Sequence, residues 1–119
     1  MNEEPGLNPA ALARLRELGG APFVRQMLGL FLELAREKIT AARAAEQVGD
    51  LAGIEKAVHP LGSSSGNVGA MAMLALARRI EQLARDRKPD EIPGLLCELE
   101  ASFAQLQPQL EKERDAAGA

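Results

Sequence analysis

Leu51, Ile54, Val58 and Leu61 recur at intervals of three, four and three residues. That spacing places all four on one face of a helix and is out of step with the two-residue alternation of a strand. Similar stripes recur along the chain. Phe23, Met27, Leu30, Leu34 and Ala41 form one, widened by Val24, Phe31 and Ile39. Met73, Leu76, Ile80 and Leu83 form another, and Leu95, Leu99, Phe103, Leu106 and Leu110 a fourth. A helix with one apolar face cannot bury it alone, whereas four together close a core. The chain holds 21 Ala and 18 Leu against nine Val, Ile and Thr combined. Ala and Leu give up little on entering a helix, and β-branched residues give up more. The fold expected is all-α: an antiparallel up-down four-helix bundle with a short extra N-terminal helix.

Glycines, prolines and capping residues divide the chain. Residues 1–8 read as a flexible lead-in. Asn8-Pro9 is a helix start, a capping side chain followed by proline at the first helical position. Leu12, Leu15 and Leu18 line that short helix, and Gly19-Gly20 stops it. An amphipathic helix then runs from Pro22 to about Ala45, with Arg25, Glu33, Arg36, Glu37, Lys38 and Arg43 around its solvated side. Gly49-Asp50 breaks the chain, and Asp50 caps the helix that begins at Leu51. The run Gly62 to Asn67, GSSSGN, predicts a helix end or a tight turn. The next helix is expected from about Val68 to Arg87, with small Ala70, Ala72, Ala75 and Ala77 allowing close approach, and Lys88-Pro89-Asp90 ending it. The last spans roughly Glu91 to Ala116; Pro93 fits its first turn, and Pro108 is expected to kink or fray its end. The organisation expected is one domain over residues 9–116, with a flexible tail at 117–119.

Several function classes are disfavoured or excluded. One Cys allows neither an internal disulfide nor a cysteine-rich metal site, and one His allows no site that needs two. Without Trp or Tyr, stacking on bases has three Phe to work with, and the net charge is −3. A general nucleic-acid binder is therefore disfavoured. No apolar run reaches a membrane-spanning length, and Met1-Asn2-Glu3-Glu4 lacks the positive start of a signal peptide, so a cytoplasmic protein is expected. Cys97 is expected to be a partly buried inert thiol, and Met71 and Met73 core residues. The Gly-Ser-Ser-Ser-Gly run lacks the Lys-Ser/Thr ending and preceding strand of a nucleotide loop.

His59 is where chemistry would reside. It follows Val58, rotated about 100° off the core stripe of its helix. Glu55, Gly62 and Ser63 lie at −4, +3 and +4 and share its face. The ring is expected to project to solvent beside a patch with few side chains, where another protein surface can reach it. A surface imidazole is substantially neutral at pH 7, and its free nitrogen is nucleophilic toward an activated phosphoryl group. With no second catalytic group it makes a poor hydrolase and a suitable carrier. On these residues alone a surface histidine without a role remains the alternative.

His59-Pro60-Leu61-Gly62-Ser63-Ser64-Ser65-Gly66-Asn67-Val68-Gly69-Ala70 closely resembles the signature of histidine-containing phosphotransfer (HPt) domains, the four-helix carriers of multistep two-component phosphorelays. The matching positions are His59, Leu61, Ser63 to Ser65, Gly66, Asn67, Val68, Gly69 and Ala70. Ile80-Glu81 with Arg85 is similar to the family's following helix, and Phe23 to Phe31 to its opening. The resemblance covers roughly residues 9–115. It implies that His59 carries the phosphoryl group on the nitrogen farther from the backbone, and that Ser63 keeps space for it. It further implies that Ser64 and Ser65 turn inward to bond backbone or a neighbouring helix, and that Gly66 and Gly69 allow the turn and the packing of the next helix. Glu81 and Arg85 would border the histidine. The implied partners are receiver domains of a hybrid histidine kinase or a response regulator. Each receiver would bring a phosphorylatable Asp and Mg²⁺, so the chain itself is expected to hold no cofactor or metal. It would act as a monomeric shuttle, accepting from one receiver aspartate and passing to another, with no kinase or hydrolase activity of its own.

Two departures keep other outcomes open. The family's lysine three residues after the histidine is Gly62 here, and Arg78, Arg79 or Arg85 would have to replace its charge from the next helix. Pro60 cannot donate to the carbonyl of Lys56 and is expected to kink the helix and re-aim His59. The alternatives are a module that docks receivers without exchange and a purely structural bundle.

Overall fold

The structure is a computed structural model in which residues 6–118 are described. Among these residues there are four α-helices and no strand: α1 (Pro9–Gln47), α2 (Leu51–Val68), α3 (Met71–Arg85) and α4 (Ile92–Gly118). Each helix packs against the two that flank it in a closed ring: α1 meets α2 and α4, and α3 meets α2 and α4. Among the described residues, diagonal helices make no close backbone approach. Connections of two to six residues join sequential neighbours, which makes them antiparallel. This is the four-helix bundle that the apolar stripes require.

The extra N-terminal helix is the first part of α1. Asn8 caps it, its Oδ1 accepting from the Ala10 N–H at 3.0 Å. Gly20 then leaves helical geometry (φ 77°, ψ −173°), a conformation open to glycine and strained for other residues. Pro22 falls in the first turn after that break, where its missing N–H costs no hydrogen bond. Leu12 and Leu15 are buried. The Asn8 N–H donates to the Gly69 carbonyl at 2.8 Å, so the arm closes over the α2–α3 turn. Leu18, expected on the packing face, is exposed.

The core face of α1 is rotated from the stripe that its sequence suggests. Val24, Leu28, Phe31, Leu32, Ala35, Ile39 and Ala42 are buried; Leu30 and Ala41 are exposed, and Phe23, Met27 and Leu34 are half-buried. Both sets recur at helical spacing, and the neighbouring helices decide which one faces inward. Phe31 meets Phe103 of α4 edge to face, with ring centroids 6.5 Å apart. Ile54, Val58 and Leu61 of α2, Met73, Ala77 and Ile80 of α3, and Leu96, Leu99 and Leu110 of α4 complete the centre.

Neither expected interruption of α2 occurs. The helix runs to Val68 through GSSSGN, because Leu61, Gly62, Ser65 and Val68 are all buried against neighbours and tertiary packing overrides the weak propensity of Gly and Ser. It also passes Pro60 without leaving helical geometry. The lost bond falls at Lys56, an exposed residue, while Val58 and Leu61 on either side of Pro60 are fully buried and hold the helix in line. The turn comes at Gly69, left-handed at φ 82°, with its N–H on the Gly66 carbonyl and the Ala70 N–H on that of Ser65.

The C-terminal helix continues through Pro108 to Gly118, with Leu110 and Ala117 buried. Residues 117 and 118 thus belong to the helix and not to the expected tail. Residues 1–5 of the expected lead-in and Ala119 lie outside the described residues; Leu7 packs partly against the core. Met73 is in the core, but Met71 is exposed. Cys97 is likewise exposed, not partly buried: its Sγ lies 3.3 Å from a guanidinium nitrogen of Arg43. No helix among the described residues is long and apolar enough to cross a membrane.

Candidate functional site

The turn at Gly69-Ala70 sets α2 and α3 side by side in a register symmetric about Ala70. His59 and Glu81 lie eleven residues from that point on either side, Glu55 and Arg85 fifteen, and Gly62 and Arg78 eight. All three pairs meet across the seam. They form successive rungs one turn apart, since each helix repeats its face every three or four residues.

The central rung holds the imidazole. His59 is 71% exposed at its side chain, and its Nδ1 lies 2.5 Å from Oε2 of Glu81, which is only 14% exposed. A carboxylate only accepts, so Nδ1 carries the hydrogen and donates it. In the neutral ring this leaves the Nε2 lone pair free, on the side away from α3. Pro60 therefore does not turn the ring from solvent.

The second rung locks the carboxylate. Arg85 donates through one terminal nitrogen to the same Glu81 Oε2 at 2.8 Å and through Nε to Glu55 Oε2 at 3.1 Å. The hydrogen bond to Glu55, then its charge, then Glu81, hold Arg85 above its ordinary pKa. The sequence puts Glu55 on the histidine's face but gives it no role in the site. Its position at −4 from His59 is visible in the sequence, but its pairing with Arg85 follows only from the α2–α3 register.

The third rung is formed by what Gly62 lacks. Gly62 is buried, and Arg78 lies across it: a Cβ added there would sit 3.3 Å from Arg78 Nε and 3.6 Å from its Cγ. Among the described residues Arg78 forms no ion pair, whereas Arg79 pairs with Glu91 at 3.4 Å.

The rest of the motif divides between surface and core. Ser63 is exposed one turn beyond the ring, and Leu61 is fully buried. Among the described residues, Ser64 and Ser65 do not make the inward side-chain bonds implied for them. Ser64 is half-buried in a groove, and the buried Ser65 Oγ has no hydrogen-bond partner among the described residues. Gly66 stands in open space within the helix and supplies neither turn nor close approach. Gly69 supplies both: a Cβ there would lie 2.7 Å from the Asn8 carbonyl oxygen, so its close neighbour is the N-terminal arm and not α3.

Between α1 and α2, beginning more than one turn past His59, runs an apolar groove of about 290 Å³. Met27, Leu30, Phe31 and Leu34 line it from α1, and Ser64, Asn67 and Val68 from α2. Met27, Leu30 and Leu34, which the core leaves out, thus join the edge of Phe31 in an apolar surface along α1 and α2.

A profile of the Hpt domain family matches residues 26–109, a span that includes His59, Arg78, Glu81 and Arg85. Comparison with curated proteins finds no match. Among solved structures, the crystal structure of histidine-containing phosphotransfer protein B (HptB) from Pseudomonas aeruginosa PAO1 is similar, with a TM-score of 0.89 and 25% sequence identity. That similarity covers 96% of this chain and 98% of that one. With more than half of its length matched and the bundle in place, this chain belongs to the Hpt domain family, the phosphotransfer intermediates, not turnover enzymes, of two-component phosphorelays.

Proposed function

We propose that His59 accepts a phosphoryl group on Nε2 from the aspartyl phosphate of one receiver domain and passes it to the aspartate of another. The observation that carries this reading is the exposed ring with Nδ1 held by Glu81. In the forward step the Nε2 lone pair forms the N–P bond, and the bond from phosphorus to the aspartate oxygen breaks, releasing the carboxylate. The Nδ1 proton stays in place. The ring gains positive charge as the N–P bond forms, and the Glu81 carboxylate balances it. Transfer to the second receiver reverses these events on a new carboxylate. No base is needed, which suits a site whose only imidazole is the nucleophile itself.

Hpt domains work with receiver domains, and this surface suits one. Next to the ring on α2, Ser63 has a small, exposed side chain, and the groove farther along the helix offers apolar contact. The reading places the groove under the docked receiver, keeps the metal with the receiver's aspartate, and sets both proteins in the cytoplasm. The test is incubation with radiolabelled, phosphorylated receiver domains. Label is expected on the wild type and not on His59→Gln. Binding without label would instead show a docking module, and neither binding nor label a structural bundle.

A further inference from the structure

The structure assigns Arg78 of α3 as the cation that stabilises a phosphoryl group carried by His59, with Gly62 of α2 as the gap that admits it; this rests on the reading of His59 as the phosphorylated residue. A phosphoryl group brings a charge near −2 at neutral pH. The central rung opposes it with Glu81, and Arg85 is already shared between Glu81 and Glu55. Arg79 faces Glu91. Arg78 is the seam cation without a carboxylate partner among the described residues, and it occupies the rung next to the ring.

Its placement depends on a missing atom. Gly62 lies one turn past His59, so the two share a face with β-carbon positions about 5–6 Å apart. Arg78 Nε and Cγ sit against the place a Gly62 Cβ would take. A Cβ there would already make the arginine give by a few tenths of an ångström, and a longer side chain would displace or cover it. Glycine is a poorer helix former than alanine, yet here it lets a cation from the facing helix lie against α2 one turn from the nucleophile. Lys56, one turn the other way and exposed, is the remaining cation on this face of α2.

Phosphoramidate labels a reactive imidazole without any receiver: Nε2 forms the N–P bond and ammonia leaves. The full chain, treated in this way, is titrated by ³¹P NMR for the second ionisation of the phosphohistidine. A nearby cation lowers that pKa, and Arg78→Gln is expected to raise it by about half a unit, the scale of an exposed ion pair. Arg78→Lys should stay near wild type. The double variant Gly62→Lys/Arg78→Gln should return toward wild type by supplying the charge from α2, and Lys56→Gln should change little. Equal pKa values in wild type and Arg78→Gln, or a shift produced by Lys56→Gln instead, would overturn the assignment while leaving the carrier reading intact. Labelling by phosphoramidate with the Arg78 shift, but no transfer from receivers, would sink the carrier reading alone. A ring that takes the group from neither donor would overturn both.

Discussion

At the scale of single residues, Glu81 determines which nitrogen of His59 is available. It accepts the Nδ1 hydrogen, and Arg85 keeps it from turning away. Replacing the carboxylate by an amide exchanges a charge-assisted bond for a neutral one and removes the charge that balances the ring. Glu81→Gln is expected to slow phosphoryl transfer about tenfold, the equivalent of about 1.4 kcal/mol. Ring nitrogen NMR should show a mixed tautomer population in place of the Nδ1–H form. An unchanged rate and tautomer would remove Glu81 from the account. The exposure of His59 was legible in the sequence, because one residue past a clean core stripe fixes a direction on a helix. Glu81 and Arg85 came from resemblance to a family. Glu55 and the place of Arg78 were not legible, because both depend on how two helices are registered. That register follows once the turn is placed at Ala70 and not in the serine run.

At the scale of the element, Gly66 near the end of α2 and Gly69 just past it have opposite roles. Gly66 is helical and faces open space, so Gly66→Ala should stabilise the protein by up to about 1 kcal/mol in urea unfolding. Gly69 is left-handed, and an added Cβ would meet the backbone of Asn8 at 2.7 and 2.9 Å. Gly69→Ala should destabilise it by more than about 1 kcal/mol, since the conformational cost alone is of that order. Equal effects at the two positions would contradict the placement of the turn. By composition GSSSGN reads as a linker. What holds it helical is the burial of Gly62, Ser65 and Val68, which local propensity does not report. The same limit applies to α1. Its two apolar stripes overlap, and the sequence does not rank Leu28 and Leu32 above Leu30 and Ala41. Met27, Leu30 and Leu34 of the other stripe line the groove between α1 and α2 instead.

At the scale of the molecule, the ring closes where α1 meets α4. Arg43 joins them, donating to Glu100 at 2.9 and 3.2 Å and to Glu46 of its own helix at 3.1 Å. The bond from Arg43 holds the Glu100 carboxyl below its ordinary pKa. A depressed carboxyl stabilises the fold fully above its unfolded value, near pH 4.3, and loses that contribution as pH falls through its folded value. Glu100 is 42% exposed, so the expected contribution is below about 1 kcal/mol. Glu100→Gln should lower stability slightly at pH 7 and reduce the further loss between pH 5 and pH 3, measured by urea unfolding across that range. The bundle itself was legible from four stripes, whereas this closing contact was not, because it joins residues 57 positions apart. On the proposed reading, the assembled molecule offers a partner one exposed imidazole held on a rigid bundle. The most direct measurement is therefore the time course of label from a phosphorylated receiver domain to this chain and on to a second receiver. Transient label on the wild type, appearing at the second receiver and absent throughout with His59→Gln, is the predicted result. Undiminished label on His59→Gln, or none on the wild type with any receiver that binds it, would contradict the account.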